Sequence, residues 1–463
     1  MQKGFRRTWE HDRTRLSTIV VLAVVWVFVV VGFNRPSEMQ RSVTAEAVYE
    51  RVAVSVALQA LVASEYPGVL RRRVGFDEES LREEAARYFD AATRAGKFPV
   101  SALPHWALLF ERLGDPDRAE EALERSEGHG DSELKKQRKI AAALLREEKI
   151  SPDLVAWADQ RYRDGSSELP EWFLLGFHHG ESDIVEWMVD HGHRILRRGM
   201  TADALLFVVI GVAVWGLVRI LRERATFFPT RRRFRLESRG WRGRRIWREY
   251  LVAEMLGFGV SMLVGLAFQM VGLGAIGWVI AVVVFMVLPP AWMTRRMTPG
   301  FRANLRLFGV SGHPWPAGKH VAFAFVGVGF ILVASLAMQS LDRDGDFLVD
   351  TIVPEELDYW FSILWSYFVA VVLASICEEW VFRGFLFGGL RHRWGVWPAA
   401  LVSTLVFSLL HSYSLVGLAA IFLFGLIFCW LYQRSGSLIP PILAHAALNL
   451  VSTSQMVGWY SLH

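Results

Sequence analysis

The sequence predicts an all-α protein, a polytopic transmembrane helix bundle with an inserted helical domain outside the membrane. Two observations carry this. Apolar runs of about 18 to 22 residues recur along the chain, the length that crosses roughly 30 Å of hydrocarbon as a helix. The 463 residues are 52% hydrophobic yet 21% charged, so apolar and charged residues are segregated into separate stretches. The net charge of +5 does not point to a nucleic-acid partner, because the basic residues cluster beside apolar runs, where they fix topology and touch anionic lipid of the bilayer. Cys377 and Cys429 fall inside apolar runs and read as reduced core residues with no disulfide framework.

In chain order, residues 1–33 comprise a cytoplasmic amino terminus and a first transmembrane anchor. The run at 16–33 follows Lys3, Arg6, Arg7, Arg13 and Arg15. Its apolar core exceeds that of a signal peptide, and no A-x-A pattern follows it. The positive-inside rule then places the amino terminus in the cytoplasm and residues 34–202 outside. This second region is polar, helical in pattern, and broken at Gly96, Pro104, Gly114, Gly165, Pro170 and Gly180. Three of its segments share one layout: LLFERLGDPD from Leu108, LLREEKISPD from Leu144 and LLGFHHGESD from Leu174. Trp106 with Leu113, Gly114 and Ala119 resembles one tetratricopeptide unit, so the region reads either as stacked hairpins that bind a protein partner or as an ordinary helical bundle.

A second span at 203–221 leads to an Arg-rich cytoplasmic linker at 222–249. Residues 250–319 hold two spans, at about 251–271 and 273–292, and a basic loop with Arg295, Arg296, Arg302 and Arg306. Residues 320–463 form the last region, beginning with a span at 320–339. The acidic loop after it carries Asp342, Asp344 and Asp346 but does not complete an EF-hand, whose twelfth position would be Val353. As one helix the apolar segment 359–390 would measure about 48 Å, too long for an upright span, so it must tilt, break or include a re-entrant piece. Spans at about 396–412, 415–432 and 438–457 follow.

Ionisable residues inside apolar runs are the informative ones, because a charge at the bilayer centre costs several kcal/mol. Glu378, Glu379 and Arg383 lie in ASICEEWVFRGF. Glu379 and Arg383 are four apart with the acid first, the favourable order for an ion pair on one helical face. Glu378 points about 100° away and is left free. His411 lies in VFSLLHSYS, and His445 in PPILAHAALNLV with Asn449 four residues on, so the last two share a face. By helical rise, Glu378, His411 and His445 lie at similar depth on three separate segments, which points to one buried site.

At these residues the sequence resembles the CPBP family, which unites CAAX prenyl endopeptidases with bacterial bacteriocin-processing and immunity proteins. The family's E-E-x-x-x-R is read at Glu378, Glu379 and Arg383, its F-x-x-x-H at Phe407 and His411, and its H-x-x-x-N at His445 and Asn449, within roughly residues 320–455. The resemblance implies peptide-bond hydrolysis without a covalent intermediate. Glu378 and His411 would activate a water, with His445 and Asn449 facing the oxyanion. Glu378, His411 and His445 are also the residues that could hold a zinc ion, although there is no H-E-x-x-H and a metal-free glutamate mechanism is the preferred expectation.

The expected function is therefore an intramembrane endopeptidase acting on a membrane-associated protein or peptide, in a multi-pass protein of a bacterial plasma membrane. The alternatives are a non-catalytic receptor or scaffold whose outer repeats bind a partner, and an ion or proton path through the buried charges. The path fits less well, since the spans show no inverted repeat.

Overall fold

The computed structural model describes residues 56, 59, 78–94, 103–127, 132–146, 148–163, 182–227, 243–298, 300–339, 359–411 and 415–460. The first anchor at 16–33, the Arg-rich stretch 228–242 and the acidic loop 340–358 lie outside them. The described residues are helical, with no strand among them. The chain divides into two units, one of 1–35, 206–341 and 353–453, the other of 36–205, 342–352 and 454–463.

In the second of these units, helices α1 (Glu78–Arg94), α2 (Leu103–Arg112), α3 (Pro116–Arg125), α4 (Ser132–Leu145) and α5 (Pro152–Arg163) are short and amphipathic. The α2–α3 hairpin forms at the first of the three repeated segments. Gly114 supplies the positive φ of 72° that the turn needs. Asp115 then caps α3, its side chain accepting from the Arg118 backbone N–H at 3.3 Å. Its carboxylate also takes the Arg118 guanidinium at 2.8 Å and so raises the pKa of that group. Trp106, Leu113 and Ala119 are all buried, and Trp106 packs with Phe89 and Phe110 in one aromatic cluster. The second segment also turns between two helices, α4 and α5. Residues 174–181 of the third lie outside the described residues.

Among the described residues, six helices are long and apolar enough to cross a membrane: Gly192–Arg222, Gly243–Met270, Gly274–Met297, Ala317–Leu336, Trp360–Trp394 and Leu415–Ser435. The chain is an integral membrane protein. In element terms they belong to α6 (Ser182–Arg222), α7 (Gly243–Met270), α8 (Gly274–Met297), α10 (Ala317–Gln339), α11 (359–394) and α13 (Leu415–Ser435), with the short α9 (Phe301–Leu307) between α8 and α10. Two of the expected spans take another form. Helix α12 (Val396–Leu409) has 14 residues, about 21 Å of rise, short of the roughly 30 Å of hydrocarbon. Helix α14 (Ile439–Tyr460) has the length but mixes His445, Asn449, Ser452, Thr453, Ser454 and Gln455 into its apolar residues.

The overlong segment neither breaks nor re-enters. It runs continuously as α11, with α-helix at Tyr359–Tyr367, Ser375–Glu378 and Gly388–Trp394 and wider π-helical turns at Phe368–Ala374 and Glu379–Phe387. Such turns disturb the regular backbone ladder and are frequent at functional sites. Neighbouring side chains hydrogen-bond the carbonyls there. Ser403 Oγ on α12 donates to Phe382 O at 2.8 Å, and Asn449 Nδ2 on α14 donates to Ala370 O at 2.7 Å.

Asp115→Ala removes the cap of α3, and a loss of about 1 kcal/mol is expected. Thermal unfolding followed by far-ultraviolet circular dichroism should show the lower midpoint.

Candidate active site

The site is built on the π-helical turn that begins at Glu379. Glu379 and Arg383 have no exposed side-chain surface, and Arg383 Nη1 lies 3.0 Å from Glu379 Oε1. The helical spacing of four sets the pair, as the sequence indicates. Two aromatic rings complete the guanidinium's surroundings, with its Cζ 4.2 Å from the Phe407 centroid and 5.0 Å from that of Phe428. Room for it comes from Gly425 on α13. A Cβ there would stand 2.9 Å from Arg383 Nη2 and 2.5 Å from Thr404 Cγ2, so any larger residue collides.

Glu379 has a second partner that the sequence does not announce. His445 Nδ1 lies 3.0 Å from the same Oε1 atom, which makes Nδ1–H the donor and fixes the ring's orientation. The ring stacks on Phe428, at 5.2 Å between centroids and 19° between planes. Its other nitrogen, Nε2, then faces Glu378 Oε2 at 3.9 Å. That separation is too long for a direct hydrogen bond and fits a water that bonds to both. Glu378 itself retains some exposure, 18% against none for Glu379. Its Oε2 has no hydrogen-bond partner among the described residues.

The other two expected residues take different places. Asn449 shares a helical face with His445, but its amide is committed to Ala370 O in the first π-helical stretch, because that widened turn brings the carbonyl within reach. His411 lies just past the end of α12, and its Nδ1 lies 3.0 Å from Phe407 O in the last turn of that helix. Its ring meets the Phe407 ring edge to face at 4.9 Å, and the His445 ring meets the same Phe407 at 6.3 Å. The zinc set expected of Glu378, His411 and His445 is not assembled. Among the described residues no three His, Cys, Asp or Glu side chains are gathered to hold a metal. His445 has its Nδ1 on Glu379. No metal-dependent step follows from this donor geometry.

Sequence reasoning passed over one group, Glu254 on α7. It is buried, at 7% exposure, and lies close enough to Glu378 for their charges to interact. The signal was available, since YLVAEMLGFGV is an apolar run with one acid in it.

Residues 360–451, which hold this geometry apart from Glu254, match the family model described as type II CAAX prenyl endopeptidase Rce1-like. The carboxy-terminal region is thus of the CAAX-protease type, in agreement with the motif resemblance. Two curated proteins are similar over the same kind of length. An uncharacterized 24.3 kDa protein of Escherichia coli is 33% identical over 138 residues, 29% of this chain and 59% of that protein. The putative membrane peptidase YdiL of Bacillus subtilis (strain 168) is 32% identical over 81 residues, 18% of this chain and 33% of that protein. The chain therefore spans from a third to three-fifths of the length of these relatives. No solved structure matches.

Arg383→Met leaves the buried Glu379 carboxylate with only His445 and should destabilise the protein by about 3–5 kcal/mol, since a buried charge loses its partner. Adding Glu379→Gln should recover part of that loss. Thermal unfolding in detergent micelles compares the three proteins.

Proposed function

We propose that the protein is a membrane-embedded endopeptidase that hydrolyses a peptide bond in a membrane-associated protein or peptide, with Glu378 as general base. The observation that carries this reading is the division between adjacent carboxylates. Glu379 holds both Arg383 and His445 Nδ1 at its Oε1, whereas Glu378 has no cation against it and keeps Oε2 3.9 Å from His445 Nε2. A water in that gap donates one hydrogen to each group and turns a lone pair toward a substrate carbonyl. Glu378 takes the proton as the C–O bond forms, and returns it to the leaving amine as the C–N bond breaks. The apolar surroundings of Phe407 and Phe428 exclude bulk water and strengthen every polar contact within.

His445 acts from an orientation that Glu379 sets. Asn449 holds the first π-helical stretch in the resting site, and becomes a donor to the oxyanion on giving up Ala370 O. His411 approaches the reacting carbonyl past the edge of Phe407. In this reading His445, where the sequence suggested His411, is the water-holding partner of Glu378. The similarity to CAAX prenyl endopeptidases supports a protein or peptide substrate at the membrane. The helical hairpins of residues 78–163 are then a candidate surface for recruiting it.

Glu378→Gln preserves shape but cannot accept the proton. Comparison of membrane-protein termini in cells carrying wild type or this variant should show the product termini reduced at least about 100-fold, the lower range for loss of a general base. Unchanged termini would contradict the proposal. If deletion of residues 34–202 abolishes the cellular function while Glu378→Gln leaves it intact, the chain is a receptor or scaffold instead.

A further inference from the structure

No Asp or Glu occurs between Glu254 and Asp342, yet the same stretch holds Arg295, Arg296, Arg302, Arg306 and Lys319. All four arginines are exposed, in the last turn of α8 and on α9. Some of the cations at this end of the α7–α8 pair are engaged by the protein itself. Glu249 on α7 is buried, and it takes Arg248, Arg296 at 3.6 Å and the Trp292 Nε1–H at 3.2 Å. Arg245 donates to the Arg296 carbonyl at 2.6 Å. Lys319 lies 3.8 Å from Glu223. Arg295, Arg302 and Arg306 have no carboxylate against them among the described residues.

These three share one edge of the bundle. Helix α9 is joined to α8 by residues 298–300 alone, so chain length keeps Arg295 and Arg302 near each other. Arg302 and Arg306 are four apart and lie on one face of α9, opposite the buried Asn304 and Phe308. Trp380 of α11 holds the helix in that attitude, since Phe301 stacks on it at 5.7 Å and Phe308 meets it edge to face at 5.3 Å.

The surface that leads to the arginines indicates what they meet. On α8, Ile280, Val287, Ala291 and Arg295 are exposed at spacings of seven, four and four, which puts them on one face. From Ile280 to Arg295 that stripe rises about 22 Å, more than the ~15 Å of hydrocarbon in one leaflet of the bilayer. Beside it the Phe301 ring is 61% exposed. A soluble anion would match the charge and leave the apolar stripe unused. A lipid matches both, because guanidinium groups pair well with phosphate oxygens and the stripe suits an acyl chain.

We propose that Arg295, Arg302 and Arg306 form a headgroup site for an anionic phospholipid, with its phosphate at the guanidinium groups and its acyl chains along the exposed face of α8. Lipid held there is independent of the hydrolytic reading of Glu378.

Native mass spectrometry of the full-length protein, released from micelles containing equal amounts of phosphatidylglycerol and phosphatidylcholine, counts the lipids that stay bound. Phosphatidylglycerol should be retained in preference. Arg295→Gln/Arg302→Gln/Arg306→Gln should weaken that retention roughly 100-fold, about fivefold for each arginine lost. Arg222→Gln/Arg224→Gln/Arg434→Gln, which removes three other exposed arginines, should keep it. The first variant changes only exposed positions and should unfold at the wild-type temperature in phosphatidylcholine, and Arg302→Gln/Arg306→Gln repeats the reading with α8 untouched. Equal retention of the two lipids by wild type, or equal loss in the two triple variants, overturns the proposal. So does displacement of phosphatidylglycerol by millimolar inorganic phosphate, which would mark a site for soluble anions.

Discussion

Burying an ionised carboxylate inside a helix bundle costs several kcal/mol unless its partners are close and well aimed. The side chain of Glu379 has no exposed surface, and it receives Arg383 and His445 at the same oxygen, each at 3.0 Å. Most of the site follows from satisfying that charge. Arg383 must be at hand, so Gly425 leaves it room and Phe407 and Phe428 cover its faces. His445 must turn Nδ1 inward, so Nε2 is left pointing at Glu378. Glu378 stands apart from Arg383 because Glu379 holds that cation.

The backbone of α11 serves the same end. A regular α-helix over 359–394 fixes the directions of Glu378 and Glu379 by its own geometry. The π-helical turns at Phe368–Ala374 and Glu379–Phe387 instead let neighbouring helices take up carbonyls through Ser403 and Asn449. The site thus rests on contacts among α11, α12 and α14, which hold its side chains in place.

Much of this was legible in the residues. The four-residue spacing of Glu379 and Arg383 specifies an ion pair on one face, and polar groups in apolar runs at matched depth indicate a common site. What could not be read is whatever depends on rotation of one helix against another. Nothing in H-x-x-x-N says that His445 will turn to Glu379 while Asn449 turns to a backbone carbonyl. Nor does FVAVVLA signal a π-helical stretch, since Val and Ala suit a regular helix as well. The same holds for the zinc set, because whether Glu378, His411 and His445 gather in one place depends on how their helices pack. Glu254 is different in kind. It was visible as an acid in an apolar run and was passed over because no motif surrounds it.

The central claim is that Glu379 orients His445 so that Nε2 faces Glu378. Solid-state NMR of protein labelled with ¹⁵N-histidine, in bilayers, reads this directly, with His445→Gln identifying the ring by subtraction. The account predicts a proton-bearing, hydrogen-bonded Nδ1 at His445 whose resonance moves in Glu379→Gln. A His445 signal that carries its proton on Nε2 alone, or that Glu379→Gln leaves unchanged, would contradict it.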